Sequence, residues 1–294
     1  MQYCTLGKTG INVSKIGFGT GTTSFTGINL HSSMPVQELS ALLLYAYELG
    51  VNLWDTAYTY ETYPHIRKAL DSVKRNNIVI SSKTDKSNYK DIHAEIENSL
   101  RLLQTDYIDI FLLHGVRNAF DFRVRKGAWK ALMEAKKKGY VRAIGFSSHG
   151  IGAIEAAQNM KDIDVIMARL NFSGDYMDSY QENIISNVMS IPIAKKLARV
   201  LIPKSILPSV SKLVEPPKPS DFLQSKTQDM LRSLHEAGKG IIGIKLFGAG
   251  KLKNDSDKAI SFAKTLSFID SFVIGMAKRN EIMENVNLYY NGGK

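Results

Sequence analysis

One cysteine stands in the 294 residues, Cys4, so neither an internal disulfide framework nor a metal cluster held by cysteines is available to this chain. No run of about 18 apolar residues occurs, so no membrane-spanning helix is expected. The opening Met1-Gln2-Tyr3-Cys4-Thr5-Leu6-Gly7-Lys8 lacks the apolar core of a signal peptide. A soluble, cytoplasmic protein is the expectation. No His-x-His pair or multi-carboxylate cluster marks a strand end, which argues against a metal hydrolase, and no metal site is expected. Zinc-finger, RNP-type and basic-zipper patterns are also missing, so the net charge of +10 does not by itself point to nucleic acid. Proline is scarce and unevenly placed. Of eight prolines, six (192, 203, 208, 216, 217 and 219) fall between residues 186 and 219.

What is present is a repeated shape. Val51-Asn52-Leu53-Trp54 is a short apolar run that stops at Asp55, with Tyr60 five residues later. Ile78 to Ser82 stops at Lys83, and Tyr107 to Leu113 stops at His114. An acid, a phenol, an ammonium and an imidazole at the downstream ends of successive strands are what a parallel barrel offers at its catalytic mouth.

The 44% hydrophobic content and the length suit one large core, since α/β barrels take about 250 residues as one domain. The order of elements agrees. A hairpin over about 2–13 precedes a first strand near 15–19, and Pro35 opens a helix that Gly50 closes. Further helices are predicted from Ile66 to Val73, over 90–103 and 122–138, and from Ile151 to Asn159. Strands are predicted from Tyr140 to Phe146, from Asp164 to Leu170, from Ile241 to Phe247 and from Asp270 to Gly275. Helices over 176–200, 221–237, 255–266 and 279–289 complete the pattern. Eight alternating strands and helices give an α/β fold, a (β/α)8 TIM barrel with an N-terminal β-hairpin, as a single domain over 1–294. The Pro-rich, basic insert after the sixth strand, about 186–219, reads as a lid or a docking element. Its apolar Val200, Leu201, Ile202, Ile206 and Leu207 among basic residues also suit contact with a membrane surface. Oligomeric state leaves no mark on the sequence.

A tyrosine has an ordinary pKa of about 10 and donates a proton sluggishly near neutrality. A neighbouring ammonium should lower that value, and a carboxylate paired to the ammonium should keep it charged. Tyr60, Lys83 and Asp55 supply that set, and His114 is placed to hydrogen-bond a carbonyl oxygen. A different reading makes Lys83 the Schiff-base nucleophile of a barrel aldolase, which Asp55 opposes by holding the lysine charged.

Leu6-Gly7-Lys8-Thr9-Gly10-Ile11-Asn12-Val13-Ser14-Lys15-Ile16-Gly17, the run Gly50 to Ala57 with Tyr60, and Ser99-Leu100-Arg101-Leu102-Leu103 followed by Asp106-Tyr107-Ile108-Asp109 and His114 resemble the aldo-keto reductase family over nearly the whole chain. The resemblance implies hydride transfer from a nicotinamide to a carbonyl carbon of a small-molecule substrate, with Tyr60 as proton donor tuned by Asp55 and Lys83, and His114 orienting the carbonyl. It implies NADPH rather than NADH, without a Gly-rich Rossmann fingerprint. Gly19, Thr20, Ser147, Ser148, Asn171, Lys245, Phe247, Gly248, Gly250, Lys278, Arg279, Glu284 and Asn285 fall at positions implied to hold the cofactor. Its phosphates would lie near Gly248, Ala249 and Gly250, through exposed backbone donors. Lys278 and Arg279 would pair a 2′-phosphate.

The chain also departs from the family pattern. Met167 stands for the usual glutamine of the sixth strand and Ile244 for the aromatic of the seventh, and Glu61 follows Tyr60 where glycine is common. Ser147-Ser148-His149 and Ile244-Lys245-Leu246-Phe247-Gly248 are similar to the branch that often carries a C-terminal ferredoxin-type iron-sulfur segment. No such segment is expected among these 294 residues, since one cysteine cannot hold its cluster. Tyr58 and Tyr63 are expected on the substrate side, and Trp54 between barrel and helices. A second functional reading keeps the cofactor but little turnover, as a regulatory or docking subunit such as the potassium-channel beta subunits of the family.

Overall fold

A computed structural model describes residues 2–21, 29–174 and 221–292. The predicted insert at 186–219 and the predicted helix over 176–200 lie outside the described residues. Strands β1 (Tyr3–Thr5) and β2 (Asn12–Ser14) form the antiparallel hairpin. The remaining strands close a parallel barrel: β3 (Ile16–Gly19), β4 (Leu53–Asp55), β5 (Val79–Thr84), β6 (Ile108–Leu113), β7 (Val141–Ser148), β8 (Val165–Arg169), β9 (Gly240–Ile244) and β10 (Ser271–Gly275). Strand β10 pairs with both β9 and β3, which removes every edge of this sheet.

The alternation of each strand sorts its side chains into two cores. Leu53, Val79, Ile110, Leu112, Ala143, Val165, Met167, Ile242 and Val273 fill the barrel interior, and Leu6, Ile11 and Val13 of the hairpin region join them. Trp54, Ile80, Phe111, Ile144, Phe146 and Ile166 point outward into the layer beneath the helices. Trp54 is fully buried there, as its position one residue before Asp55 requires.

Helices α1 (Leu30–Ser33), α2 (Val36–Glu48), α3 (Tyr63–Leu70) and α4 (Tyr89–Leu103) cover the first strands. In α4, Asn88 caps the start by accepting from the Asp91 amide, and Ile92, Ile96, Ser99 and Leu103 form the buried stripe. The helix predicted over 122–138 is instead two, α5 (Ala119–Val124) and α6 (Lys126–Lys137), divided at Arg125. The Arg125 guanidinium is buried and donates to the carbonyls of His114 at 2.8 Å, Thr84 at 2.8 Å and Lys86 at 3.1 Å. It thereby ties the ends of β5 and β6 together. Helices α7 (Ile151–Ala157), α8 (Asp221–Glu236), α9 (Ser256–Thr265) and α10 (Arg279–Asn291) complete the outer layer among the described residues. No described helix is long and apolar enough to cross a membrane.

Candidate active site

The inward-facing positions of β4 and β5 run Leu53, Asp55 and Val79, Ser81, Lys83, so both chemical groups leave the top of the interior core on the same side. Register fixes their approach, with Asp55 opposite Ser81 and Lys83 opposite Leu112. The Lys83 ammonium donates to both Asp55 carboxylate oxygens at 2.7 Å and to the Thr56 carbonyl at 2.8 Å. Three donors therefore meet three acceptors, in a site where Lys83 is 2% and Asp55 4% exposed. Burial pulls the Lys83 ammonium below its ordinary pKa and the Asp55 charge opposes that pull. Such saturation counts against a nucleophilic amine and so against the Schiff-base reading.

Tyr60 ends a single 3-10 turn, Tyr58–Tyr60, that follows β4. Asn29 fastens that turn, its side-chain amide donating to the Tyr60 carbonyl at 3.0 Å and to the Thr20 carbonyl at 3.1 Å. Gly21 lies against the phenol, and a Cβ there would stand 2.3 Å from the ring, so only glycine fits. Glu61 takes the left-handed conformation, φ 58°, that the commoner glycine would adopt freely. The turn is thus kept at a backbone cost of about 1–2 kcal/mol.

The Tyr60 hydroxyl is 3.5 Å from His114 Nε2, with the two rings edge-on at 80°. Lys83 Nζ sits 5.2 Å from the Tyr60 ring centroid. The expectation that this ammonium lowers the Tyr60 pKa needs correction. Burial first, then the Asp55 and Asp85 charges, push the phenol above its ordinary value, and the Lys83 donors go to Asp55 and Thr56 rather than to the phenol. Asp85, which the sequence reading missed, lies with Oδ1 3.2 Å from His114 Nδ1. Tyr58 and Tyr63 are also corrected. Tyr63 is buried with its hydroxyl at Ser82 (2.6 Å) and Ser99 (3.1 Å), and Tyr58 accepts from Asn98 at 2.8 Å. Both hydroxyls turn toward α4 rather than the barrel mouth.

The positions implied to hold a cofactor lie at the ends of β3 and β7–β10 and in the turns beyond them. Gly19 ends β3. Thr20 is buried, and its hydroxyl donates to the Asp55 carbonyl at 3.0 Å, so this side chain secures the Asp55 strand end. Ser147 accepts from the Gly115 amide at 3.0 Å, while Ser148 bonds both the carbonyl and the amide of Gly150. Asn171 is buried and accepts from Ser173 at 2.9 Å. Beyond β9, Phe247 is half-buried, and Gly248, Ala249 and Gly250 are successively left-handed at φ 55°, 57° and 97°. The amides of Gly248 and Gly250 are committed to the carbonyls of Lys245 and Phe247, at 2.8 and 2.9 Å. They therefore do not serve as open anion donors, contrary to expectation. A small-residue shelf remains, exposed at Ala249 and Gly250 and flanked by the exposed Lys251 and Lys253. Around α10, Lys278, Arg279 and Glu284 are exposed and Asn285 is buried, with Arg279 stacked 5.0 Å from the Tyr45 ring centroid. An anionic dinucleotide fits this rim of basic groups around side-chain-poor backbone.

Sequence reasoning also missed Arg169. It follows Val165 and Met167 on the inward face of β8, so alternation could have found it. Its guanidinium reaches His149 Nδ1 at 3.4 Å. Burial, then the Arg169 and Lys245 charges, lower the His149 imidazole to about 3, so it is neutral near pH 7.

A closed parallel barrel with a buried carboxylate–ammonium pair beneath a phenol and an imidazole defines a class of barrel able to protonate an oxygen at its mouth. Residues 15–190 match the family model described as Aldo/keto reductase family, and the chain belongs to that family. It is 30% identical to "Aldo-keto reductase YhdN" of Bacillus subtilis over 58% of this chain and 54% of that protein. Thus the chain spans about half the length of that curated relative. It is 24% identical to the "NADPH-dependent alpha-keto amide reductase" of Saccharomyces cerevisiae, over 93% of this chain and 89% of that one. The holo aldo-keto reductase of Bacillus halodurans superposes with a TM-score of 0.66 at 18% identity, covering 99% of this chain and 91% of its own, a likeness of fold.

Proposed function

We propose that the chain is an NADPH-dependent reductase of aldehydes or ketones in which Tyr60 donates the proton. The observation that carries this reading is the placement of the Tyr60 hydroxyl 3.5 Å from His114 Nε2, above a Lys83 locked on Asp55. Burial and two carboxylates hold the phenol neutral, which is the form that has a proton to give. Bound NADPH would supply the hydride, which no side chain can. With that hydride supplied to the carbonyl carbon, Tyr60 would give its proton to the carbonyl oxygen, leaving an alcohol and a Tyr60 phenolate. Lys83 offsets the phenolate charge through space, and Asp55 keeps Lys83 in place. His114, beside the phenol, orients the carbonyl by hydrogen bonding.

NADPH is favoured over NADH by Lys278 and Arg279, both exposed at the start of α10, and by the cofactor named for the yeast relative. Ser147, Ser148, Asn171 and Lys245 would face the nicotinamide end, and Phe247, Gly248 and Gly250 the phosphates. Gly19 and Thr20 would border the mouth, with Glu284 and Asn285 toward the adenosine. We take 1–294 as one barrel unit.

The test is a fluorescence titration with NADPH and NADH, followed by cofactor oxidation against a panel of aldehydes and ketones. Tighter binding of NADPH with turnover is expected. Binding without turnover on any member would favour the regulatory reading, and binding of neither cofactor would overturn the mechanism.

A further inference from the structure

The pairing of β5 with β6 runs one step beyond Lys83. Thr84 pairs in register with Leu113, and the His114 amide donates to the Thr84 carbonyl at 2.9 Å. Asp85 and His114 are the next residues along the two strands, and alternation gives both the inward phase of Lys83 and Leu112. Buried Arg125 fixes this juncture. Its guanidinium holds the carbonyls on either side of Asp85, Thr84 at 2.8 Å and Lys86 at 3.1 Å, together with the His114 carbonyl at 2.8 Å. The Lys86 amide closes the turn by donating to Thr84 Oγ1 at 3.1 Å.

The backbone thus brings three side chains into a row. The Tyr60 hydroxyl lies 3.5 Å from His114 Nε2, and Asp85 Oδ1 lies 3.2 Å from Nδ1 of the same ring. Nδ1 is buried and completes no hydrogen bond among the described residues, although the carboxylate stands that close. A bare Nδ1 would set its lone pair against the carboxylate, whereas a protonated Nδ1 makes the same approach a charge-assisted donor and acceptor. In a neutral imidazole, the partner of one nitrogen decides which nitrogen carries the proton.

We propose that Asp85 is a positioning residue that fixes the tautomer and the plane of His114: Nδ1 carries the proton and faces Asp85, and Nε2 presents its lone pair to the Tyr60 hydroxyl. For its effect on turnover the proposal rests on the carbonyl reductase reading. In the resting site the Tyr60 proton is directed at Nε2. Donation from Nε2 to a carbonyl takes the doubly protonated ring, for which Asp85 supplies the counter-charge, so one contact serves both forms.

The test is long-range proton–nitrogen NMR of the full chain, labelled with nitrogen-15 in histidine, at about pH 9, where an ordinary imidazole is neutral. The His114 signals are those lost in His114→Gln. The Nδ1-protonated form should exceed the Nε2-protonated form at least about tenfold in the wild type. Asp85→Ala should bring that ratio to about one or reverse it, while Asp85→Asn, whose side-chain oxygen still accepts, should restore part of it. Asp85 is exposed, so both variants should keep the fold, which unchanged signals from buried His31 and His65 would verify. A wild-type ring protonated on Nε2, or a ratio indifferent to Asp85→Ala, would overturn the proposal. In turnover, Asp85→Ala should lower kcat about tenfold while NADPH affinity stays within about twofold, and an equal kcat would also overturn the positioning role. The spectrum needs no turnover, so the two readings fail separately. An Asp85-dependent tautomer in a chain that reduces no carbonyl defeats the reductase and leaves the Asp85 contact standing, whereas reduction with an Asp85-independent tautomer defeats the positioning role alone.

Discussion

Lys83 holds Asp55 through both carboxylate oxygens, each at 2.7 Å, in a site closed to solvent. Removing one member leaves the other charge buried without its counter-charge. Asp55→Asn is therefore expected to lower unfolding free energy by on the order of 3 kcal/mol, read by denaturant titration. A change within error would show that solvent reaches the pair.

The neutral Tyr60 phenol is the donor form, and burial with Asp55 and Asp85 raises its pKa above the ordinary 10.0. Protonated phenol is thus fully present below that value and is lost only at higher pH. The profile of kcat/KM should show no fall attributable to Tyr60 up to about pH 10. A decline near neutrality that disappears in Asp85→Asn or is shifted by it would show that another group limits the proton transfer.

His149 is held neutral in the folded chain down to about 3, against an ordinary 6.5. Its folded pKa is depressed, so its contribution to stability is complete above 6.5 and is lost as pH falls from there toward 3. Melting temperature should drop more steeply through that window in the wild type than in His149→Gln. Parallel curves would contradict an imidazole held uncharged in the folded chain.

Gly21 leaves room for the Tyr60 ring that a methyl group would take, since its Cβ would stand 2.3 Å away. Gly21→Ala should lower kcat by tenfold or more on the order of a misplaced catalytic group, with the melting temperature little changed. Unaltered kcat would mean that the ring has other room.

Much of this was readable in the chain. Apolar runs ending at Asp55, Lys83 and His114 located three barrel strands, and alternation placed Trp54 outside the barrel. What escaped depends on long-range partners. The split between α5 and α6 falls at Arg125, whose carbonyl acceptors lie at and just beyond the ends of β5 and β6, so helical periodicity runs straight through it. Tyr63 resembles a mouth residue by position, yet Ser82 and Ser99 draw its hydroxyl outward. The direction of the Tyr60 shift depends on burial of the phenol and on the nearby Asp55 and Asp85 charges, which only the folded chain brings together. Strand β9 was expected to run to Phe247 but stops at Ile244, because Lys245 turns left-handed, a change no local propensity signals. Arg169 was legible from alternation alone, two residues past Met167.

The most direct test of the central claim is Tyr60→Phe, assayed for NADPH-dependent carbonyl reduction beside a fluorescence titration of cofactor binding. The account predicts that cofactor affinity is retained while kcat falls by about a hundredfold or more. Turnover equal to wild type would contradict Tyr60 as the proton donor.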